Sequence, residues 1–559
     1  MAGKQNKSEN VGKILTMLIK ADPEGCLNRD KSGESTVLEL ILTNWAEVAR
    51  MEGVKALLCT CPHLAQIPIK EARGALPIHL FACVGGFHYE YCALVMETLI
   101  EAYPLGTETQ DEDGNLPLHY VCMNHEGPIA AAMIKELING DPEGHAGDIR
   151  AAATPNEFNR LALHYVCEWK EPTGAVKTLL LQHPDGATHK DDDGQIPLHC
   201  ICRSSSKWAH SNLLELLRVY PEGVKELDRN GQTPLHIACT NIGDYGDQIV
   251  QQLLEVWPEA AQVQDRDGFT PLHMASANEG PKSNLMVNEL LRPGKFPDAS
   301  RMEDRQGMLP MHHAAHNEGP CSGAMATELL RVYPDAVKHE DRAGMLPVHH
   351  GCMNESEGGF DIVRECIAEY PEGAAHGDRQ GLLPIHNATL NMSPAGYDLV
   401  KLLVDMFSQG LRQEDRQGKL PLHYASQTAD PYAITDFMLR KYPEGAKCVD
   451  THGLLPLHVA AHNPHESSVD LVDLLLCIHV DGAKMEDSDG KLPLHYASDN
   501  AGPNKTFFVD ALLAAYPTIT VKNDLVPADP TKPIDFGKDQ KQREALSQLH
   551  RDMLLTQLN

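Results

Sequence analysis

No run of about 18 apolar residues occurs anywhere in the 559-residue chain, and Met1 to Asn10 carries no apolar stretch ahead of a small-residue cleavage site. These absences predict neither a membrane-spanning helix nor a secretory signal, and so a cytoplasmic or nuclear protein without direct membrane insertion. Basic side chains are in deficit: 48 Lys and Arg stand against 78 Asp and Glu, for a net charge of −30. Such a field repels phosphate backbones and anionic headgroups, which excludes nucleic acid and acidic membranes as partners. No Ser-His-Asp arrangement, Gly-rich phosphate loop or Cys-x-x-Cys pair stands in motif context. Cysteine is plentiful, at fifteen residues. Most recur once per repeating unit, however, and units stacked roughly 8–10 Å apart hold them beyond disulfide reach, so free buried thiols are expected.

What the chain does have is a period. A histidine follows a proline and an aliphatic residue again and again, at His79, His119, His164, His199, His236, His273, His312, His349, His386, His423, His458 and His495. The successive spacings are 40, 45, 35, 37, 37, 39, 37, 37, 37, 35 and 37 residues. A near-constant period of this kind means one supersecondary unit stacked on copies of itself.

Each unit can be built from its chemistry. Five residues before the histidine stands Gly, except at Asn159, usually behind Asp-x-x as in Asp304-Arg305-Gln306-Gly307. This is a turn that needs positive φ. Two residues before the histidine stands Pro, except at Ala162. Proline suits the first turn of a helix, so helix A begins there. Three residues after the histidine the side chain is always small (Ala82, Cys122, Cys167, Ser276 and Ala315 among others), which lets neighbouring helices approach closely. Asn follows two residues later in eight units, often running into Gly-Pro, and caps the end of helix A. A second apolar-periodic segment, such as Met325, Leu329, Leu330 and Val332, makes helix B, which ends at Tyr-Pro-Glu/Asp-Gly/Ala.

The stretch Asp228-Arg229-Asn230-Gly231-Gln232-Thr233-Pro234-Leu235-His236 and its counterpart at 265–273 resemble the ankyrin-repeat signature. The resemblance implies helix–turn–helix units with hairpin-like turns, no intrinsic chemistry and a role in binding proteins. It covers about residues 65–520 and departs from the ankyrin pattern twice. The usual period is about 33 residues, and the extra length falls between helices A and B. Leu or Ile (Leu76, Leu116, Leu161, Ile196, Leu309, Leu346, Leu383, Leu420, Leu455, Leu492) stands where ankyrin repeats carry Thr, leaving only Thr233 and Thr270. Thr would cap helix A, so most units need another acceptor, for which the histidine ring is the candidate.

The resulting expectation is an all-α, curved, ankyrin-like solenoid with short finger turns, on the order of 100 Å long at roughly 8–10 Å per step. Residues 1–64 are read as degenerate capping repeats, with Val11 to Lys20 a lone helix B. Residues 65–522 form the array of about twelve repeats. Residues 523–559 form a degenerate repeat and an amphipathic helix from about Asp539 to Leu558, which serves as a cap or as a partner contact.

Candidate sites thin out on inspection. His312 and His316, and His458 and His462, lie four apart on one helix, but the Glu and third ligand of a zinc protease are not local. A calcium loop beginning at Asp111 or Asp191 would need Gly and Glu where Leu116 and Cys122, or Ile196 and Cys202, stand. No metal and no cofactor is expected. One pattern persists: Arg229, Arg266, Arg305, Arg342, Arg379 and Arg416 follow the turn Asp in six consecutive units. Either they pair with the adjacent Asp and with Glu303, Glu340 and Glu414, or they contact an acidic partner segment. The residue after each histidine varies widely, which marks a position not fixed by stacking; some of these side chains are candidates to line the concave groove, and packing is the role expected of any one of them. The function expected is a non-enzymatic scaffold or adaptor for one or more proteins. The alternatives are a dedicated inhibitor or regulatory subunit of one enzyme, and an enzyme with a site built across repeats.

Overall fold

The computed structural model describes residues 38, 41–42, 47–69, 72–84, 89–125, 127–139, 150–168, 174–292, 297–429, 432–465 and 468–515. Among them all regular structure is helical, and no helix is long and apolar enough to cross a membrane. The proposed helix at Val11 to Lys20 and everything assigned to 523–559 lie outside the described residues.

Each repeat opens with a short helix A whose first residue is the proline, as in Pro117–Asn124, Pro310–His316 and Pro347–Met353, except at Ala162–Glu168. Proline's fixed φ suits this position and its missing N–H costs nothing there. At five to eight residues these helices are too short to hold without neighbours. Helix B is longer, as in Ser322–Val332 and Glu357–Glu369, and buries Met325, Ala326, Leu329 and Leu330 in the first of these. Its end differs from expectation: the Tyr-Pro-Glu-Gly motif does not merely stop helix B but starts a one-turn 3-10 helix, such as Pro221–Lys225 or Pro371–Ala375. The glycine of that turn sits against the tyrosine ring, where a methyl on Gly223 would come within 2.9 Å of Tyr220 Cδ1.

Contacts divide the chain into two compact blocks, residues 1–299 and 300–559. In the first, the A helices from Pro77–Val84 to Pro271–Ala277 stack on one another in sequence order, and in the second those from Pro310–His316 to Pro493–Asp499 do the same. Within each block helix B stacks on the next helix B, and helix A packs against its own helix B. The small residues after the histidine lie in the A–A seam, with Cys122, Cys167, Ser276 and Ala315 buried. Of the fourteen described cysteines nine are buried, Cys59 and Cys83 are exposed, and none is in a disulfide. Burial pushes the Cys122 and Cys366 thiols up to about 12, which keeps them protonated.

Candidate functional site

The turn ahead of each helix A is organised by its aspartate. Asp304 Oδ1 accepts the backbone N–H groups of Gln306 and Met308 at 2.8 and 2.9 Å, and Asp341 Oδ1 accepts those of Ala343 and Met345 at the same distances. The chain reverses at a glycine in the left-handed region, with φ of 78° at Gly344, and Asn159 adopts the same conformation at 55°. In five units the second carboxylate oxygen is served by the residue after the histidine. Tyr120 donates to Asp111 at 2.6 Å, Tyr424 to Asp415 at 2.5 Å and Tyr496 to Asp487 at 2.7 Å, while His313 and His350 reach Asp304 and Asp341 at 2.8 and 3.0 Å. At Ile237 and Met274, where that residue is apolar, a glutamine of the preceding repeat donates instead: Gln195 to Asp228 at 3.4 Å and Gln232 to Asp265 at 3.1 Å. The variable position is thus less free than its variety suggests.

The repeat histidine replaces the missing cap. Its Nδ1 accepts the N–H of the residue three before it, for example Leu116 to His119, Leu309 to His312 and Leu346 to His349, each at 3.0 Å. Since Nδ1 accepts, the ring proton is on Nε2, which donates onward to the next repeat: His119 to the Arg160 carbonyl at 3.0 Å, His312 to that of His339 at 3.1 Å and His423 to that of Leu454 at 3.1 Å. Thr233 adds its hydroxyl, 2.8 Å from His236 Nδ1. Desolvation lowers these rings, to about 4 for His119, His199, His349 and His386 and about 3 for His164 and His312. Both nitrogens of His312 are therefore committed to backbone, and among the described residues no group of side chains is arranged to hold a metal ion.

The asparagine at the end of helix A caps a different chain end from the one expected. Asn354 Nδ2 donates to the carbonyls of Ala315 and Asn317 in the preceding repeat at 3.0 and 2.7 Å, while its Oδ1 accepts the N–H of Ser356 at 2.9 Å. Asn241, Asn278, Asn391, Asn463 and Asn500 donate in the same way to the repeat before.

The six turn arginines are all exposed. Their backbones link the tips: the N–H of Arg342 donates to the Gln306 carbonyl at 2.8 Å, Arg379 to Ala343 at 2.9 Å and Arg416 to Gln380 at 2.8 Å, as Arg229 does to Asp193 and Arg266 to Asn230 in the first block. The stems of Arg229, Arg266, Arg342 and Arg379 cross the glycine of the preceding turn, where a methyl on Gly344 would come within 3.0 Å of Arg379 Cγ. Self-pairing, one of the two expectations, does not occur at Arg229, Arg266, Arg342, Arg379 or Arg416: among the described residues none of these forms an ion pair. Most of the acids invoked for it are used elsewhere. Asp304, Asp341 and Asp415 are held by backbone and by a ring, Glu303 contacts His339 and Glu340 contacts His376, both at 3.3 Å.

A polar cleft of about 410 Å³ opens where the repeat pattern breaks, lined by Phe158, Tyr165, Glu168, Asp191, Gln195 and Arg203 around Arg160. The Arg160 guanidinium lies 2.9 Å from Glu168, 3.2 Å from Asp191, 3.3 Å from Cys200 Sγ and 4.7 Å from the centre of the Tyr165 ring. Cys200 follows its repeat histidine and cannot serve Asp191 as a tyrosine would, and Arg160 takes that place. Nothing in the repeat pattern signalled the cleft beyond the departures at Asn159 and Ala162.

A family model described as ankyrin repeats matches in three copies, over residues 163–255, 207–300 and 422–523. The chain carries ankyrin repeats. No curated protein matches the sequence. The repeats outside the matched windows, including those of His119 and His349, use the same turn, ring and helix-start contacts as those inside. Ankyrin repeats mediate protein interactions in general, and this chain has the framework for it.

Proposed function

We propose that this chain is a non-enzymatic scaffold or adaptor that binds other proteins through its ankyrin repeats. The observation that carries the reading is how the polar residues are used. The residue types that could catalyse, Asp and His above all, are committed repeat after repeat to backbone groups of their own turn and of the next repeat. The tip side chains, by contrast, are exposed and differ along the chain: Glu112, Asp192, Arg342, Thr451 and Ser488 occupy one equivalent position. A conserved frame presenting different side chains suits recognition of protein surfaces. Proximity labelling in the native cell, followed by light scattering of the purified chain mixed with two recovered proteins, tests it. A complex containing both partners supports the scaffold. A single partner at fixed stoichiometry, an enzyme whose turnover falls on binding, would establish the dedicated inhibitor instead.

A further inference from the structure

The two blocks carry different tips. In the first block Asp113, Asp192, Asp193 and Asp267 stand at the turns, so Arg229 and Arg266 lie among acids. In the second, three successive turns present Arg342-Ala343, Arg379-Gln380 and Arg416-Gln417, and the next two present Thr451-His452 and Ser488-Asp489. Arg305, at the preceding tip, already has contacts within the chain and is not needed. We propose that Arg342, Arg379 and Arg416 bind an extended acidic segment of a partner protein, one carboxylate to each guanidinium. The proposal rests on the binding role argued above and names its ligand.

Three observations favour it. Most of the nearby acids that could neutralise these arginines are occupied, Asp341 and Asp415 by backbone and by His350 and Tyr424, Asp378 Oδ1 by the backbone N–H groups of Gln380 and Leu382, and Glu340 by His376. The stems of Arg342 and Arg379 lie over the glycines of the preceding turns, which limits their freedom before any ligand arrives and reduces the ordering cost of binding. Backbone hydrogen bonds tie successive tips, so the guanidinium groups advance with the repeats, roughly 8–10 Å each. An extended peptide rises roughly 3.3 Å per residue, so every third side chain meets the next tip. The exposed amides of Gln380 and Gln417 can serve the peptide backbone between those contacts. Carboxylate is preferred over phosphate because each tip offers a single fork, and Glu340 and Glu414 stand two residues before Arg342 and Arg416. A dianion would be repelled by them more strongly than a monoanion.

The test uses the full chain and fluorescent peptides in anisotropy titrations at physiological salt. One peptide carries Glu at every third position, a second the same residues with the Glu contiguous, and a third Gln for Glu. The every-third peptide should bind best. Joint replacement Arg342→Gln, Arg379→Gln and Arg416→Gln should weaken it about tenfold or more, with helical content and melting temperature unchanged. Arg229→Gln with Arg266→Gln should leave it as it was. Equal binding of the two Glu peptides, or full binding by the triple variant, overturns the proposal. So does no binding of any peptide; if native partners are still captured by both wild type and triple variant, the acidic-segment reading falls while the scaffold stands.

Discussion

At the residue scale the repeat histidine decides most. It sits where a side chain can both accept the orphan N–H at the start of helix A and donate to the following repeat, and of the ring's two protonation states only the neutral one does both. Protonation would turn Nδ1 from acceptor to donor against the Leu346 or Leu309 N–H. The folded rings therefore titrate well below 6.5, near 4 for His119, His199, His349 and His386 and near 3 for His164 and His312, mainly through desolvation. The sign follows: with folded values below the unfolded 6.5, the unfolded chain binds more protons. Stability is whole above that pH and falls as pH drops towards 4, by up to about 1.4 kcal/mol per unit for each such histidine. Thermal melts across this range should show a steep, continuous drop in Tm. A flat profile down to pH 4.5 would mean the rings titrate as if exposed.

The residue after the histidine yields a second test. Its variety read as packing or groove lining, because aligning one repeat with another does not reveal that Tyr, His and a distant Gln perform the same act at an Asp oxygen. Tyr424→Phe removes the 2.5 Å bond to Asp415 and should cost about 1–2 kcal/mol. Asp450 Oδ2 is buried without a hydrogen-bond partner, and Val459 occupies the serving position. Val459→Tyr should therefore stabilise by about 1 kcal/mol, read as a rise in urea midpoint at unchanged m-value. A fall would show that the half-buried site has no room for the ring.

At the element scale, helices of five to eight residues survive because each is tied to its neighbours at both ends. The histidine bonds the start of one repeat to the turn of the next, and the asparagine bonds its end to the repeat before. Much of this was legible: proline at the first helical position, glycine at positive φ, the small residue in the seam and asparagine at the helix end follow from one repeat's own chemistry. The carbonyls that asparagine reaches were not, since they belong to another repeat. The 3-10 turn was hidden for a related reason: Tyr-Pro-Glu-Gly reads as a stop, and its continuation depends on the tyrosine ring packing over Gly223 or Gly373. The Arg160 cleft depends on what Cys200 fails to do across a repeat boundary. Asn354→Ala would leave the Ala315 and Asn317 carbonyls and the Ser356 N–H without their partner. The cost should be about 2–4 kcal/mol, and hydrogen exchange should speed up at Ser356 while amides three repeats away keep their protection. Uniform acceleration through the second block would contradict so local a tie.

At the scale of the molecule the net charge of −30 sets the terms on which any acidic ligand approaches. Three unpaired guanidinium groups attract a carboxylate only at contact distance, whereas the summed charge repels it from afar. Screening separates the two effects. At about 0.01 M salt the field reaches about 30 Å, and at about 0.15 M it reaches about 8 Å, beyond which the peptide no longer meets the protein's excess acid. Contacts within hydrogen-bonding distance persist at that salt and weaken only as it rises towards about 1 M, where the range is about 3 Å. Binding of the every-third-Glu peptide should therefore tighten from low to physiological salt and loosen beyond it. A basic patch on a neutral or cationic protein gives a monotonic loss instead. Monotonic weakening from the lowest salt would mean that the second block's tips present a positive field beyond their own contacts, and that neighbouring arginines act together at a distance rather than one carboxylate at a time.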